Sequence, residues 1–412
     1  MPSFPPRITR FLLLTLLSLS IFALVLKFSI LTSLWSEKLV IKPHQDSILY
    51  QELKSLDEQG VTLPQQASGS QHDFEAGTPI VGKTYSRRII VPKTKHEDLS
   101  WLDEKLWNVS KAVYAVDDEH ALLHPPKNKG NEVMVYLSYI IDHYENLADI
   151  NIFIHSHRWA WHNNDLLDGD MFLMLRHLND ARVIREGYMN LRCQWYPGCP
   201  NWLRPDAQHE DMEKREEKYV AQAWREIFPG RPVPQVLGQP CCSQFAASKD
   251  SIRRISLAEY ERIRKWVLET KIRDSMSGRI FEYLWQYLFT GQHTHCPGIH
   301  TCYCDGYGAC FEDEDDFQSW FKTRFEIRKD EWEMHSWIEN EIKYRNFVDQ
   351  NRKEDAERVE RAPDGRIDEL KLSIQQRWIQ LGLRRDQALE RGRDPKVRAK
   401  IAGREWNEGD GY

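Results

Sequence analysis

Residues 11–26, FLLLTLLSLSIFALVL, carry no charge and follow Arg7 and Arg10. An uncharged apolar run of this length belongs in a bilayer or in a signal sequence, so it constrains topology before any chemistry is considered. At 1.5 Å per residue it covers roughly 24 Å, short of a hydrocarbon core of about 30 Å. Lys27 interrupts it, but a lysine near a helix end can snorkel its ammonium to the headgroups. Continued to Trp35, the segment is long enough to span. Two basic residues on the short N-terminal side favour keeping that side cytoplasmic. The sequence therefore predicts a cytoplasmic end over 1–10, a signal anchor over 11–35 and a lumenal remainder. This is a single-pass protein whose membrane partner is its own N-terminal helix, in the Golgi or the endoplasmic reticulum. A cleaved signal peptide is the alternative; Leu24, Val25 and Leu26 offer it no small-x-small site. Both place the folded part in the same compartment.

A chain of 412 residues with 41% hydrophobic content and fifteen tryptophans can build a sizeable core. Its net charge of −6 gives no electrostatic case for nucleic acid. The eight cysteines all follow the anchor, and in an oxidising lumen they favour disulfides over thiols or zinc. Asn108-Val109-Ser110 is a glycosylation sequon.

Residues 36–84 are polar and predict a stem. From Tyr85 onward strand and helix patterns alternate. SRRIIVPK is β-branched, HEDLSWLDEKLW has helical spacing, and NVSKAVYAVDD is a strand ending in Asp117-Asp118. Residues 131–145 carry a helical apolar face, and DINIFI is a buried strand running into His155-Ser156-His157. Further helices are expected over 215–228, 257–271 behind Ser256, and 278–289, the last a single aromatic helix. The expected fold is α/β over 85–311, a mainly parallel sheet flanked by helices, with a charged helical extension over 312–412. In such sheets ligands lie beyond the carboxyl ends of the strands, here Asp117, Asp118, His155 and His157.

Residues 153–170 concentrate polar function. His155, His157, His162 and Asp165 are metal-ligand types, although loop hydrogen bonding and helix capping explain them more simply. Asp168-Gly169-Asp170 spells D-x-D, the carboxylate pair by which nucleotide-sugar transferases hold Mn²⁺ or Mg²⁺. The basic loop 127–130 suits phosphate less well than solvent, because it lacks a P-loop. Glu282, between Phe281 and Leu284, is a carboxylate that the core can draw in, with Arg279 as its expected partner. Cys193 and Cys199 predict a local bridge. Cys296, Cys302, Cys304 and Cys310 predict two disulfides stapling a loop, and Cys241 and Cys242 are left to distant partners.

The blocks EDLSWL, VYAVDD, NKGNEVMVYLSYIIDHYENL, INIFIHSHRWAWHNNDLL, YMNLRCQWYPGCP and SGRIFEYLWQYLF, in this order, resemble the fungal domain-of-unknown-function family 3431. The resemblance covers about half the chain. It implies a lumenal or membrane-anchored protein with a glycosyltransferase-A-like arrangement, and it transfers no catalytic residue. Where a nucleotide-sugar transferase has Asp-x-Asp, this strand ends in His-Ser-His.

The expected activity is transfer of a sugar from a nucleotide donor to a glycan or glycoprotein. Asp117 and Asp118 would meet the nucleotide or metal, His155 and His157 would line the donor pocket, and Glu282 or Asp170 would act as base. The alternatives are a metal-dependent hydrolase built on the histidine cluster with Asp165, and a non-catalytic carbohydrate-binding protein. N-terminal sequencing of the mature protein should find the native start; a new terminus near residue 35 would remove the anchor.

Overall fold

The computed structural model describes residues 77–412; the expected anchor and most of the stem lie outside the described residues. No helix among the described residues is long and apolar enough to cross a membrane. The architecture is a five-stranded sheet with helices on both faces. The strands are β1 (Arg87–Lys93), β2 (Ser110–Ala115), β3 (Ile150–Phe153), β4 (Tyr188–Asn190) and β5 (Phe245–Ser248), in the order β2-β1-β3-β5-β4. β1 pairs in parallel with β2 and with β3, while β5 runs antiparallel to both β3 and β4. The sheet is therefore mixed where a mainly parallel one was expected. The difference comes from β5, whose short FAAS segment carries no strand-like alternation to betray it.

The helices are α1 (Ser100–Lys105), α2 (Val133–Asp142), α3 (Met171–His177), α4 (Asp180–Glu186), α5 (Glu217–Ile227), α6 (Lys249–Arg253) and α7 (Leu257–Glu269). They continue with α8 (Asp274–Glu282), α9 (Trp285–Thr290), α10 (Ile299–Tyr307), α11 (Glu314–Asp349), α12 (Lys353–Glu357), α13 (Arg366–Arg391) and α14 (Pro395–Ile401). Ser256 caps α7 by accepting from Glu259 N at 3.3 Å, as its position predicts. The expected aromatic helix over 278–289 is instead two helices. Tyr283 N and Leu284 N bond back only three residues, to Ile280 O and Phe281 O, which ends α8 and starts α9 in a new direction.

The period-2 alternation of the strands divides two cores. Ile90, Ala112, Tyr114, Phe153 and Phe245 pack with Tyr136 and Tyr139 of α2 and Trp285 of α9. Ile89, Val91, Ile150, Ile152 and Ala246 pack with Met171, Met174, Tyr303, Phe317 and Trp320. The second core takes in Leu370, Ile374 and Leu381, so the charged C-terminal helices α11 and α13 are built onto the sheet rather than appended to it. Across that helix pair, Glu333 meets Arg366 at 2.9 Å and Asp316 meets Arg384 at 2.8 Å.

All eight cysteines are paired, though not as expected. Cys193 bonds Cys302 and Cys199 bonds Cys296, which staples the segment after β4 to the region around α10. Only Cys304–Cys310 closes a short loop within the C-terminal set. Cys241 and Cys242 bond each other. The expected local Cys193–Cys199 bridge does not form; the two thiols take partners 109 and 97 residues further along the chain.

Asp305 of α10 is fully buried and takes three guanidinium groups: Arg185 at 2.7 Å, Arg182 at 2.8 Å and Arg404 at 3.1 Å. Burial pushes its carboxyl upward, but the three cations outweigh it and hold it below the ordinary range. Removing the charge strands three arginines, so Asp305→Asn should cost about 3–5 kcal/mol by denaturant titration. Because the folded value lies below the unfolded one of about 3.9, the contribution is complete above that pH and is lost as pH falls through the depressed value. The variant should accordingly lose part of the acid-side pH dependence of stability.

Candidate functional site

β1, β2 and β3 end at one edge of the sheet, and the reversed β5 begins there. The pairing of Phe245 with both Phe153 and Asn190 brings the end of β4 to the same edge. The chain leaves the β2 tip, enters α2 at that edge, and returns to the far edge to start β3. Since β1 connects outward to β2 while β3 lies on its other side, the strand order reverses between β1 and β3. That is the position where open α/β sheets bind ligands.

At this crevice Glu97, on the loop after β1, accepts from Thr94 N at 2.7 Å and from the Ser156 hydroxyl, with His157 Nε2 at 3.7 Å. Burial raises the Glu97 carboxyl, but the hydrogen bonds from Ser156 and Thr94, with His157 nearby, outweigh it and leave it below its ordinary value. Asp117 joins the β2 tip to the β1 tip by accepting from Lys95 N at 3.1 Å with both oxygens. Asp118 closes its own turn on His120 N at 2.9 Å. Both aspartates are exposed. The two strand tips expected to converge do share one edge, separated by β1, which is roughly 10 Å at normal strand spacing.

His155 donates its backbone N–H to Gln244 Oε1 at 3.0 Å, and its ring meets that of His162 edge-on at 5.1 Å. The Nε2 atoms of both rings are buried without a partner. Desolvation, reinforced by neighbouring His157, pushes His155 down to about 4, and desolvation with His155 and Arg192 nearby pushes His162 to about 2. His157 points outward, with 61% of its side chain exposed. Beside it Trp159 is 60% exposed and Trp161 39%, with Arg158 over the first ring and Arg192 over the second.

The other expected carboxylates in this loop are engaged structurally. Asp170 caps α3 through Phe172 N and takes a bidentate pair from Arg158 at 3.0 and 2.8 Å. Asp168 is held by Arg385 of α13 at 3.1 Å, and Asp165 by Arg324 of α11 at 2.8 Å. The carboxylates expected as base and metal ligands in this loop are thus paired with arginines. Among the described residues no group of three or more His, Cys, Asp and Glu converges to hold an ion. Asn163 and Asn164, which sequence reasoning passed over, shape the loop instead. Asn163 accepts from Gln244 Nε2 and donates to Arg158 O and Gly169 O, while Asn164 bridges Leu191 O and Cys193 N.

Two glutamates lie beside the segment that leads into β5. Glu282, the last residue of α8, accepts from Cys242 N at 3.0 Å. Its expected partner Arg279 pairs instead with buried Glu216 at 3.3 Å. Desolvation and the charge of Glu132 push Glu282 up to about 8, and desolvation pushes Glu132 to about 7. Both are half-buried. Glu132 was missed because it reads as an ordinary helix-start acid. Lys129, from the basic loop, is occupied by the carbonyls of Leu268 and Thr270 at 3.1 and 2.6 Å. Asn108 sits in an exposed turn ahead of β2.

The profile described as Protein of unknown function (DUF3431) matches residues 89–305. The chain belongs to this family. The DUF3431 region runs from β1 into α10, so the strand tips, the histidine pair, Glu132 and Glu282 all fall inside it, while α11 to α14 fall outside. No curated protein and no solved structure matches the chain.

The low-titrating histidines are directly measurable. Imidazole NMR resonances of His155 and His162 should remain in the neutral form at pH 5.5. Because their folded values lie below about 6.5, the unfolded chain binds protons first, and stability should fall as pH drops from about 6.5 toward 4.

Proposed function

We propose that this chain is a membrane-anchored, lumenal glycosyltransferase-like enzyme, with Glu282 as the base that takes the proton of an acceptor hydroxyl. The reading is supported by Glu282, a desolvated carboxyl pushed up to about 8 and held by Cys242 N in the segment that leads into β5. The crevice between the β1 and β3 tips is the place for a nucleotide donor, beside Glu97, Ser156, His155 and His157. A glycosyltransferase-A-like arrangement is consistent with the reversed strand set among aligned ones. Exposed Trp159 and Trp161 offer flat faces of the kind that saccharide rings stack upon.

In this reading Asp117 and Asp118 would meet the nucleotide. Mn²⁺ or Mg²⁺ held by Asp168 and Asp170 does not fit, because both carboxylates carry arginines. The hydrolase alternative loses Asp165 for the same reason. The exposed turn at Asn108 suits an N-linked glycan in a lumenal protein of the Golgi or the endoplasmic reticulum.

Purified protein should show a thermal shift with at least one nucleotide sugar, tested with and without Mn²⁺. Glu282→Gln should lower kcat by about 10²–10⁴ while leaving the donor-induced shift in place. Absence of any shift across the panel would favour the non-catalytic carbohydrate-binding alternative.

A further inference from the structure

The segment that leads into β5 is gripped on both sides of one short turn. Before the turn, Asn190 Nδ2 donates to Pro240 O at 2.6 Å and Cys241 N–H to Pro197 O at 3.0 Å. After it, Gln244 accepts from His155 N at 3.0 Å, donates to Asn163 Oδ1 at 3.1 Å and receives Leu191 N–H on its carbonyl at 2.9 Å. Between these grips Cys242 and Ser243 hold left-handed backbone, at φ 86° and 49°. Residues with a Cβ disfavour that region, and where they occupy it they gather at functional sites. The turn aims Cys242 N–H at Glu282 Oε2, 3.0 Å away.

The Cys241–Cys242 bond joins neighbours in sequence. Its eight-membered ring contains the peptide unit between them, so it constrains ψ of Cys241 and φ of Cys242 directly. A disulfide stabilises a fold chiefly by closing a long loop. Cys193–Cys302 and Cys199–Cys296 close spans of 109 and 97 residues, whereas this bond ties no two distant segments together. It fixes the local turn instead. Cys193, Cys302, Cys304 and Cys310 are buried away from an attacking thiolate, while Cys242 is half-buried. Cys199 and Cys296 are half-buried too, but opening their bond releases a long span. We propose that Cys241–Cys242 is a redox switch, and that its reduction by a dithiol loosens the Cys242 grip on Glu282 and the Gln244 grip on the tip of β3.

A thiolate of the reductant attacks the Cys242 sulfur. The bond to Cys241 breaks, and Cys241 leaves with the electron pair and takes a proton. The second thiol of the reductant then displaces Cys242, which leaves as a thiolate and is protonated in turn. Two electrons and two protons pass to the protein, and the reductant ends as a disulfide. With the ring gone, φ of Cys242 is no longer tied to Cys241, and both left-handed residues are free to relax. The Cys242 N–H then turns away from Glu282. That hydrogen bond favours the ionised carboxyl, so the open form holds its proton more firmly. The switch itself does not rest on the transferase reading; its effect on turnover does, because only there is Glu282 the base.

The test treats the full chain with graded dithiothreitol, then alkylates and digests it for peptide mass spectrometry, with amide hydrogen exchange read on the same samples. Cys241 and Cys242 should be alkylated together at a dithiothreitol concentration about tenfold or more below the one that opens any other bridge. At that concentration exchange over residues 242–244 and at the end of β3 should rise about tenfold or more, with α7 unchanged. Glutathione disulfide should reverse both effects. The double change Cys241→Ser with Cys242→Ser should exchange fast without reductant. Should it fail to fold by circular dichroism, the reduced native chain decides alone. Earlier opening of another bridge, unchanged exchange after opening, or a change that glutathione disulfide does not reverse would each overturn the proposal. Faster exchange on reduction without any nucleotide-sugar shift keeps the switch and removes the transferase reading. Sugar transfer at equal rates in oxidised and reduced protein, with exchange unchanged, does the reverse.

Discussion

The parallel alignment of β2, β1 and β3 is the constraint on which the rest depends. Because all three strands run one way, their carboxyl tips meet at one edge, and any helix between them must start there. That places Asp117, Glu97, His155 and the entry to α2 together without any direct bond between most of them. The reversed β5 adds its leading residues to the same edge. Gln244, Ser243 and Cys242 therefore form a floor between the histidine side and the acidic side. Gln244 grips the His155 backbone, and Cys242 grips Glu282. A slip of β5 by one residue would turn Phe245 out of its core and move both grips.

The outer parts of the molecule hold this edge in shape. The long disulfides tie the segment after β4 to the region of α10, and Asp305 gathers arginines from α4 and from the C-terminal segment. Arg324 and Arg385, on α11 and α13, reach back to Asp165 and Asp168 in the loop that follows β3. A loop that sequence alone presents as a ligand cluster is, in space, a strap whose carboxylates are used for anchoring. The charge that makes α11 and α13 look like a solvated tail includes the groups that fasten this strap.

Legibility followed the range of the physical cause. The strand at DINIFI, the cap at Ser256 and the helix over Glu217–Ile227 came through because periodicity and capping act within a few residues. The segment FAAS did not, because apart from Phe245 it lacks the β-branched and aromatic residues that mark DINIFI as a strand. Glu282 was legible because it interrupts an apolar run. Glu132 was not, since an acid at a helix start is ordinary until its desolvation is known.

By itself, the sequence determined the apolar run at the N-terminus, the α/β alternation, the pairing of cysteines in principle, and the polar strand tips, since composition and short spacing carry all of these. Only the tertiary structure decided which cysteine meets which, that Asp165, Asp168 and Asp170 answer to arginines, and that the charge of Glu132 reaches Glu282. Each of those outcomes joins residues far apart along the chain. Whether a carboxyl stays ionised or keeps its proton depends on the desolvation and charge around it, and those exist only once the chain has folded.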